Sequence, residues 1–119
     1  MTEPLRMGII GLGKQGRIRA GTVRQHDDAV LVSGTDPQPP AKGFEDLRLL
    51  PDHEAVIASN VDAVFVCTPN RFIPDVVCAA LDAGKHVFCE KPPGRTVADI
   101  ERIIDAERRN PGQMPHRSQ

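Results

Sequence analysis

Short apolar runs alternate along this chain with segments whose apolar residues recur at helical spacing, and that alternation restricts the fold more than any other feature. Strands joined by helix-length crossovers pair in parallel, so the pattern predicts βαβ units and an open α/β sheet. Leu5 to Ile10 is nearly continuous in apolar residues, as a strand buried on both faces should be. Gly11 to Gly16 interrupts it, and a helix is expected from there to about Gln25. Ala29 to Thr35 predicts a second strand, ending at Asp36. The stretch Pro37-Gln38-Pro39-Pro40-Ala41-Lys42-Gly43 is excluded as a helix, because its prolines lack N–H donors and clash with the preceding turn. A short strand is expected at Leu47 to Leu50 and a short helix at Asp52 to Ser59.

The second half is more strongly patterned. Val61 to Cys67 contains the run Ala63-Val64-Phe65-Val66 and predicts a strand. Ile73, Val76, Val77, Ala80 and Leu81 form a helical stripe facing a core. Pro74 is tolerated in the first turn of that helix and Gly84 stops it. His86 to Cys89 predicts another strand. Thr96 with Asp99 resembles a capping box, and Val97, Ile100, Ile103 and Ile104 give a last helix its apolar face, ended by Asn110-Pro111-Gly112. Residues 1–110 are thus expected to form one domain and 111–119 a fraying tail.

Composition narrows the function. The 119 residues suit one domain, and an apolar share of 39% can build its core. Aromatics make up 3%, all Phe, which leaves no stacking platform for single-stranded nucleic acid, and a net charge of −1 provides no basic footprint. A nucleic-acid partner is therefore not expected. Neither is a membrane, since no apolar run approaches the roughly 18–20 residues of a span. Met1-Thr2-Glu3-Pro4 places an acid and a proline where a signal peptide carries basic residues, and a cytoplasmic location is expected. Cys67, Cys78 and Cys89 are odd in number with no CxxC pair, which argues against disulfides and zinc and for small buried hydrophobes. His26, His53, His86 and His116 show no metal-ligand spacing.

Gly11-Leu12-Gly13-Lys14-Gln15-Gly16 is a G-x-G-x-x-G sequence lying directly between the first strand and the first helix. In that setting the first glycine permits a tight turn, the second lets the backbone approach a pyrophosphate, and the third allows close helix–strand packing. Unpaired N–H groups at the helix start then face the phosphates. Asp36 falls 20 residues beyond Gly16, at the end of the second strand, where a carboxylate can accept bonds from an adenosine ribose. Its negative charge would repel a 2′-phosphate, so NAD is expected as cofactor in preference to NADP. Cys67-Thr68-Pro69-Asn70 and Glu90-Lys91-Pro92-Pro93 follow the next two strands, on the sheet edge where open α/β folds bind ligands. Flanking prolines hold Lys91 in a stiff loop suited to presenting an ammonium group to a substrate oxygen, although on spacing alone a solvated loop lysine is the better reading.

The string from Val61 to Asn70, the string Ala83-Gly84-Lys85-His86-Val87-Phe88-Cys89-Glu90-Lys91-Pro92, and the start Gly8-Ile9-Ile10-Gly11-Leu12-Gly13 closely resemble the glucose-fructose oxidoreductase / inositol dehydrogenase / MocA (Gfo/Idh/MocA) family. The resemblance runs from about Arg6 to Arg109. It implies a Rossmann-type, mostly parallel sheet with helices on both faces, and NAD(P)-dependent oxidation of sugars, cyclitols or related alcohols. By this resemblance Gly11, Leu12, Gly13, Lys14, Gln15 and Gly16 form the pyrophosphate loop, and Asp36 holds the adenosine ribose. Thr68, Pro69 and Asn70 line the path to the nicotinamide, Glu90 contacts the ribose on that side, and Lys91 is the catalytic lysine.

Departures accompany the resemblance. The family's substrate domain, with its second acid/base group, is not represented. Arg19 and Ile73 stand where many members carry His, and the proline-rich stretch replaces the helix between the second and third strands, a usual wall near the adenine. Nothing after Asn110 resembles the usual sixth strand. The strand from His86 to Cys89 is therefore expected to leave an apolar edge for self-association or for docking to a separate partner. Two other readings stand beside the oxidoreductase: a nucleotide-binding module without turnover, and an interaction protein that has lost its ligand.

Overall fold

In the computed structural model, which describes residues 4–38, 40, 42–89, 101, 105, 108 and 109, β1 (Leu5–Ile10), β2 (Ala29–Thr35), β3 (Arg48–Leu49), β4 (Ala63–Val66) and β5 (His86–Cys89) form one sheet. All four pairings are parallel and the spatial order is β3-β2-β1-β4-β5. Strand order therefore reverses between β1 and β4, and a crevice opens outside their carboxyl ends. The sheet interior and its direction agree with the alternation in the sequence.

Helices cover both faces. On one side α1 (Lys14–Arg24) packs over Met7, Ile9 and Leu31, with Leu12, Ala20 and Val23 closing that half of the core. On the other, α2 (His53–Ala58) and α3 (Ile73–Asp82) pack over Ile10, Val64, Val66 and Val87. Alternation along β4 divides the strand between the two: Val64 and Val66 face α2 and α3, whereas Ala63 and Phe65 belong with the α1 side. Val77, Ala80 and Leu81 of α3 are fully buried, which is the stripe read from the sequence. Each large side chain buried in this way contributes about 1.5–3 kcal/mol.

Helix ends follow local chemistry. The Asp52 carboxylate accepts from the Ala55 amide at 2.8 Å and starts α2. Gly84, at φ +76°, ends α3 with the Lys85 amide donating to the Ala80 carbonyl and the Gly84 amide to that of Leu81. The described residues of the proline-rich stretch (37, 38, 40, 42 and 43) are non-helical, and Phe44 at its end is buried against α1, where the Arg17 and Arg24 guanidinium groups stack on its ring at 5.2 and 5.9 Å. Phe44 thus takes part of the place that a crossover helix would fill.

Among the described residues β5 is the last strand of the sheet, with Val87 and Cys89 buried and Phe88 half-buried against Phe65. The residues that directly follow β5, from Glu90 to Pro93, lie outside the described residues. So do the capping residues Thr96 and Asp99, the apolar face expected of the last helix, and the tail. Glu101, Asp105, Arg108 and Arg109 are helical, and Arg109 pairs with Asp82 at 2.8 Å. Among the described residues no helix is long and apolar enough to cross a membrane.

Candidate functional site

The turn from β1 into α1 rests on three glycines that are small for different reasons. Gly11 has φ +99°, and a Cβ there would stand 2.6 Å from the Cys67 carbonyl oxygen, so the turn threads tightly past the end of β4. Gly16 packs directly on the Gly11 carbonyl, and a Cβ at that position would collide with its oxygen. Gly13 differs from both: its φ is −82°, and nothing lies within 4 Å of where a Cβ would project. Space beside Gly13 is open, whereas space beside Gly11 and Gly16 is filled by protein.

Two amides of the turn are tied to the end of β2. The Gly11 N–H donates to the Thr35 carbonyl at 2.8 Å, and the Leu12 N–H donates to Asp36 Oδ2 at 2.7 Å. Leu12 is itself buried at 3% exposure, so the loop is fixed at both backbone and side chain. Gly13 caps α1 without any side-chain hydrogen bond, and the first turn carries no acidic residue. The leading N–H groups of a helix lack intrahelical partners and carry its positive dipole end. Uncapped and next to open space, this helix start can accept an anion. Lys14 and Gln15 are exposed on the same turn.

Asp36 is half-buried, and its Oδ1 accepts the Gln38 amide at 2.8 Å. An ionised carboxylate offers about four acceptor sites. With one backbone amide on each oxygen, each retains capacity for one further donor.

These groups border a cleft of about 700 Å³. Gly11, Gly13, Lys14 and Gln15 form one wall, Asp36 to Gln38 a second, and Val66 to Pro69 with Arg71 to Ile73 the third. A smaller, mostly apolar recess of about 290 Å³ adjoins it, lined by Pro37, Pro51, His53, Phe72 and Val76. Thr68 borders both spaces, and its buried hydroxyl has no hydrogen-bond partner among the described residues. An unsatisfied buried hydroxyl at a pocket wall is a place where a ligand donor or acceptor recovers lost energy. Cys67 beside it is chemically quiet, because burial pushes its thiol up to about 11, against a smaller opposing effect of Arg19.

The structure thus brings together Gly11, Leu12, Gly13, Lys14, Gln15, Gly16, Asp36, Thr68 and Pro69 around one cleft or in the turn that forms it. Asn70 opens a 3-10 turn (Asn70–Phe72) leading into α3. Glu90 and Lys91 lie outside the described residues. The recess was missed from sequence. Its signal was positional: Pro37, Pro51 and Phe72 all come just after the carboxyl ends of strands, the edge on which open α/β sheets bind ligands.

An open parallel sheet with a glycine-built strand-to-helix turn facing a cleft, at the point where strand order reverses, defines the dinucleotide-binding class of α/β proteins. Residues 5–114 match the sequence model of the Gfo/Idh/MocA oxidoreductases, described as an oxidoreductase family with an NAD-binding Rossmann fold. Myo-inositol 2-dehydrogenase of Thermotoga maritima is 36% identical over 112 residues, covering 85% of this chain and 32% of that protein. Scyllo-inositol dehydrogenase of Lactobacillus casei, solved with NAD(H) and scyllo-inositol, superposes with a TM-score of 0.83 at 27% identity over 95% of this chain and 36% of that one. Biliverdin reductase of Synechocystis, solved with biliverdin and NADP+, gives a TM-score of 0.83 at 30% identity over 93% of this chain and 37% of that one. The chain belongs to the Gfo/Idh/MocA family. It spans about a third of the length of these relatives.

Proposed function

We propose that this chain binds NAD in the cleft at the β1–α1 turn and serves as the nucleotide-binding part of an oxidoreductase acting on a cyclitol, sugar or similar alcohol. The observation that carries the reading is Gly13: open space at the uncapped start of a helix, on a cleft with a carboxylate at its rim. Backbone amides at Gly13, Lys14 and Gln15 would hold the diphosphate. Asp36 keeps two acceptor sites, the number that the vicinal hydroxyls of a ribose can donate to. A 2′-phosphate would meet its negative charge, which favours NAD over NADP. The apolar recess beside Pro37 has the volume and position to take the base, and the Thr68 hydroxyl can bond the ligand where the two spaces meet.

When bound, NAD supplies the hydride chemistry. The chain's part is alignment and proton handling. Thr68, Pro69 and Asn70 would direct the nicotinamide half along the β4 edge. Glu90 would bond the ribose on that side, and Lys91 would hydrogen-bond the reacting oxygen and take its proton as the alcohol is oxidised. The substrate class is supported by the inositol dehydrogenases among the relatives.

Calorimetric titration with NADH and with NADPH tests the reading. NADH should bind at one site, and NADPH about 10-fold or more weaker, a difference of roughly 1.4 kcal/mol. No binding of either would overturn it. With the enzyme active on a polyol panel, Lys91→Ala should abolish cofactor reduction while NADH still binds.

A further inference from the structure

We infer that Asp36 is also the anchor of the glycine loop, so that one carboxylate couples ribose recognition to the shape of the diphosphate cradle. This rests on the proposed dinucleotide reading and extends it to a second task for the same residue. Asp36 Oδ2 accepts the Leu12 N–H at 2.7 Å, and Oδ1 accepts Gln38 N–H at 2.8 Å. The side chain therefore spans from the end of β2 to the second residue of the turn, two positions before α1 begins. Leu12 N–H points at Asp36 and not into the cleft, and the following amides of Gly13 to Gln15 are left for the anion. A charge-assisted hydrogen bond of this length is among the strong ones. Removing its acceptor leaves the Leu12 amide unpaired beside a buried side chain, and the loop loses its tie to β2 at that point.

The sign of one measurement separates this role from ribose recognition alone. Asp36 is a negative group near a site for a negative ligand. If it touched only the ribose, its removal would leave a diphosphate ligand without ribose hydroxyls unharmed, or improve its binding by lifting a like charge. As loop anchor, its removal should weaken that same ligand. The probes are adenosine diphosphate and 2′,3′-dideoxyadenosine diphosphate, titrated into the full chain and into Asp36→Ala and Asp36→Asn. Asp36→Ala should bind the dideoxy ligand about 10-fold more weakly than the unmodified chain, the equivalent of one such bond. Asp36→Asn, which offers one uncharged acceptor oxygen, should fall between. Unchanged or tighter binding of the dideoxy ligand in both variants would overturn the inference while leaving the ribose assignment intact.

A second readout needs no ligand. Amide hydrogen exchange at Leu12 should accelerate at least about 10-fold in Asp36→Ala, while Gly11, whose amide bonds the Thr35 carbonyl, keeps its protection. Leu12 exchange that does not change would refute the anchor. Should the unmodified chain bind neither diphosphate, the functional reading falls, and the exchange result still decides the role of Asp36 in the loop.

Discussion

Two of the three glycines in one turn make opposite predictions under the same substitution. Gly16→Ala forces a Cβ onto the Gly11 carbonyl oxygen, and backbone that close cannot step aside without moving α1 from β1. It should cost about 1–3 kcal/mol of stability, the usual penalty of overpacking, read as a lower urea midpoint. Gly13→Ala meets no protein atom, so the melting temperature should stay near that of the unmodified chain. Yet the methyl would occupy the space proposed for the diphosphate, and NADH affinity should drop about 10-fold or more. Loss of stability in Gly13→Ala with binding intact would contradict both the geometry and the site. Cys67 offers a separate check nearby. With its thiol pushed up to about 11 by burial, maleimide should label it about 10-fold more slowly than a free thiol at neutral pH, the smaller thiolate fraction being partly offset by a more nucleophilic thiolate.

At the scale of elements, the link between β1 and β4 is testable through pH. Arg6 grips Asp62 with Nε and Nη2 at 3.1 and 2.8 Å; the Arg6 amide also donates to Asp62 Oδ2, and the Asp62 amide donates to the Arg6 carbonyl. The Arg6 hydrogen bonds hold the Asp62 carboxyl at about 2, below its ordinary 3.8. The folded state thus favours the carboxylate, so its stabilisation is complete above about pH 4 and fades as pH falls toward 2. Both side chains are about a third exposed, which limits the pair to roughly 0.5–1 kcal/mol. Asp62→Asn should remove that much at pH 7 and flatten the acid slope, measured by urea unfolding between pH 5 and 3. Equal slopes in the two proteins would show that the pair does not set the acid limit.

The elements also show what the sequence makes legible. β1, β2 and β5 occupy the residues expected, because their buried stretches leave mostly apolar runs bounded by turn residues. β4 is shorter than Val61 to Cys67, yet Asp62 and Cys67 still donate to Arg6 and Ile10, so the difference concerns only the frayed ends of one ladder. β3 shrinks to Arg48–Leu49 because it pairs only with Ser33 and Gly34. The three glycines and Asp36 could be read because motif and spacing record them. The bond from Leu12 to Asp36, the orphaned Thr68 hydroxyl and the recess by Phe72 could not be: each depends on how separate loops meet beyond the sheet, which no local pattern encodes.

For the whole molecule, the cleft lies where the two halves of the sheet join, so a ligand there touches loops after β1, β2 and β4 together. Anything that binds the folded chain and not the unfolded one adds RT ln(1 + [L]/Kd), or about 2.7 kcal/mol at a hundredfold excess over Kd. Unfolding entropy near 2.1 cal/mol/K per residue, over 119 residues, converts that to a rise of roughly 10 °C in melting temperature. NADH at that excess should give such a shift. NADPH at the same concentration should give a clearly smaller one, since Asp36 opposes its 2′-phosphate. Gly13→Ala should melt like the unmodified chain without ligand and respond weakly to it, whereas Gly16→Ala should melt low from the outset. A uniform shift from both cofactors would remove Asp36 as the discriminating residue. A shift from neither would mean that this cleft, for all its shape, does not hold a dinucleotide, because binding at a place that joins three strand ends cannot leave cooperative unfolding untouched.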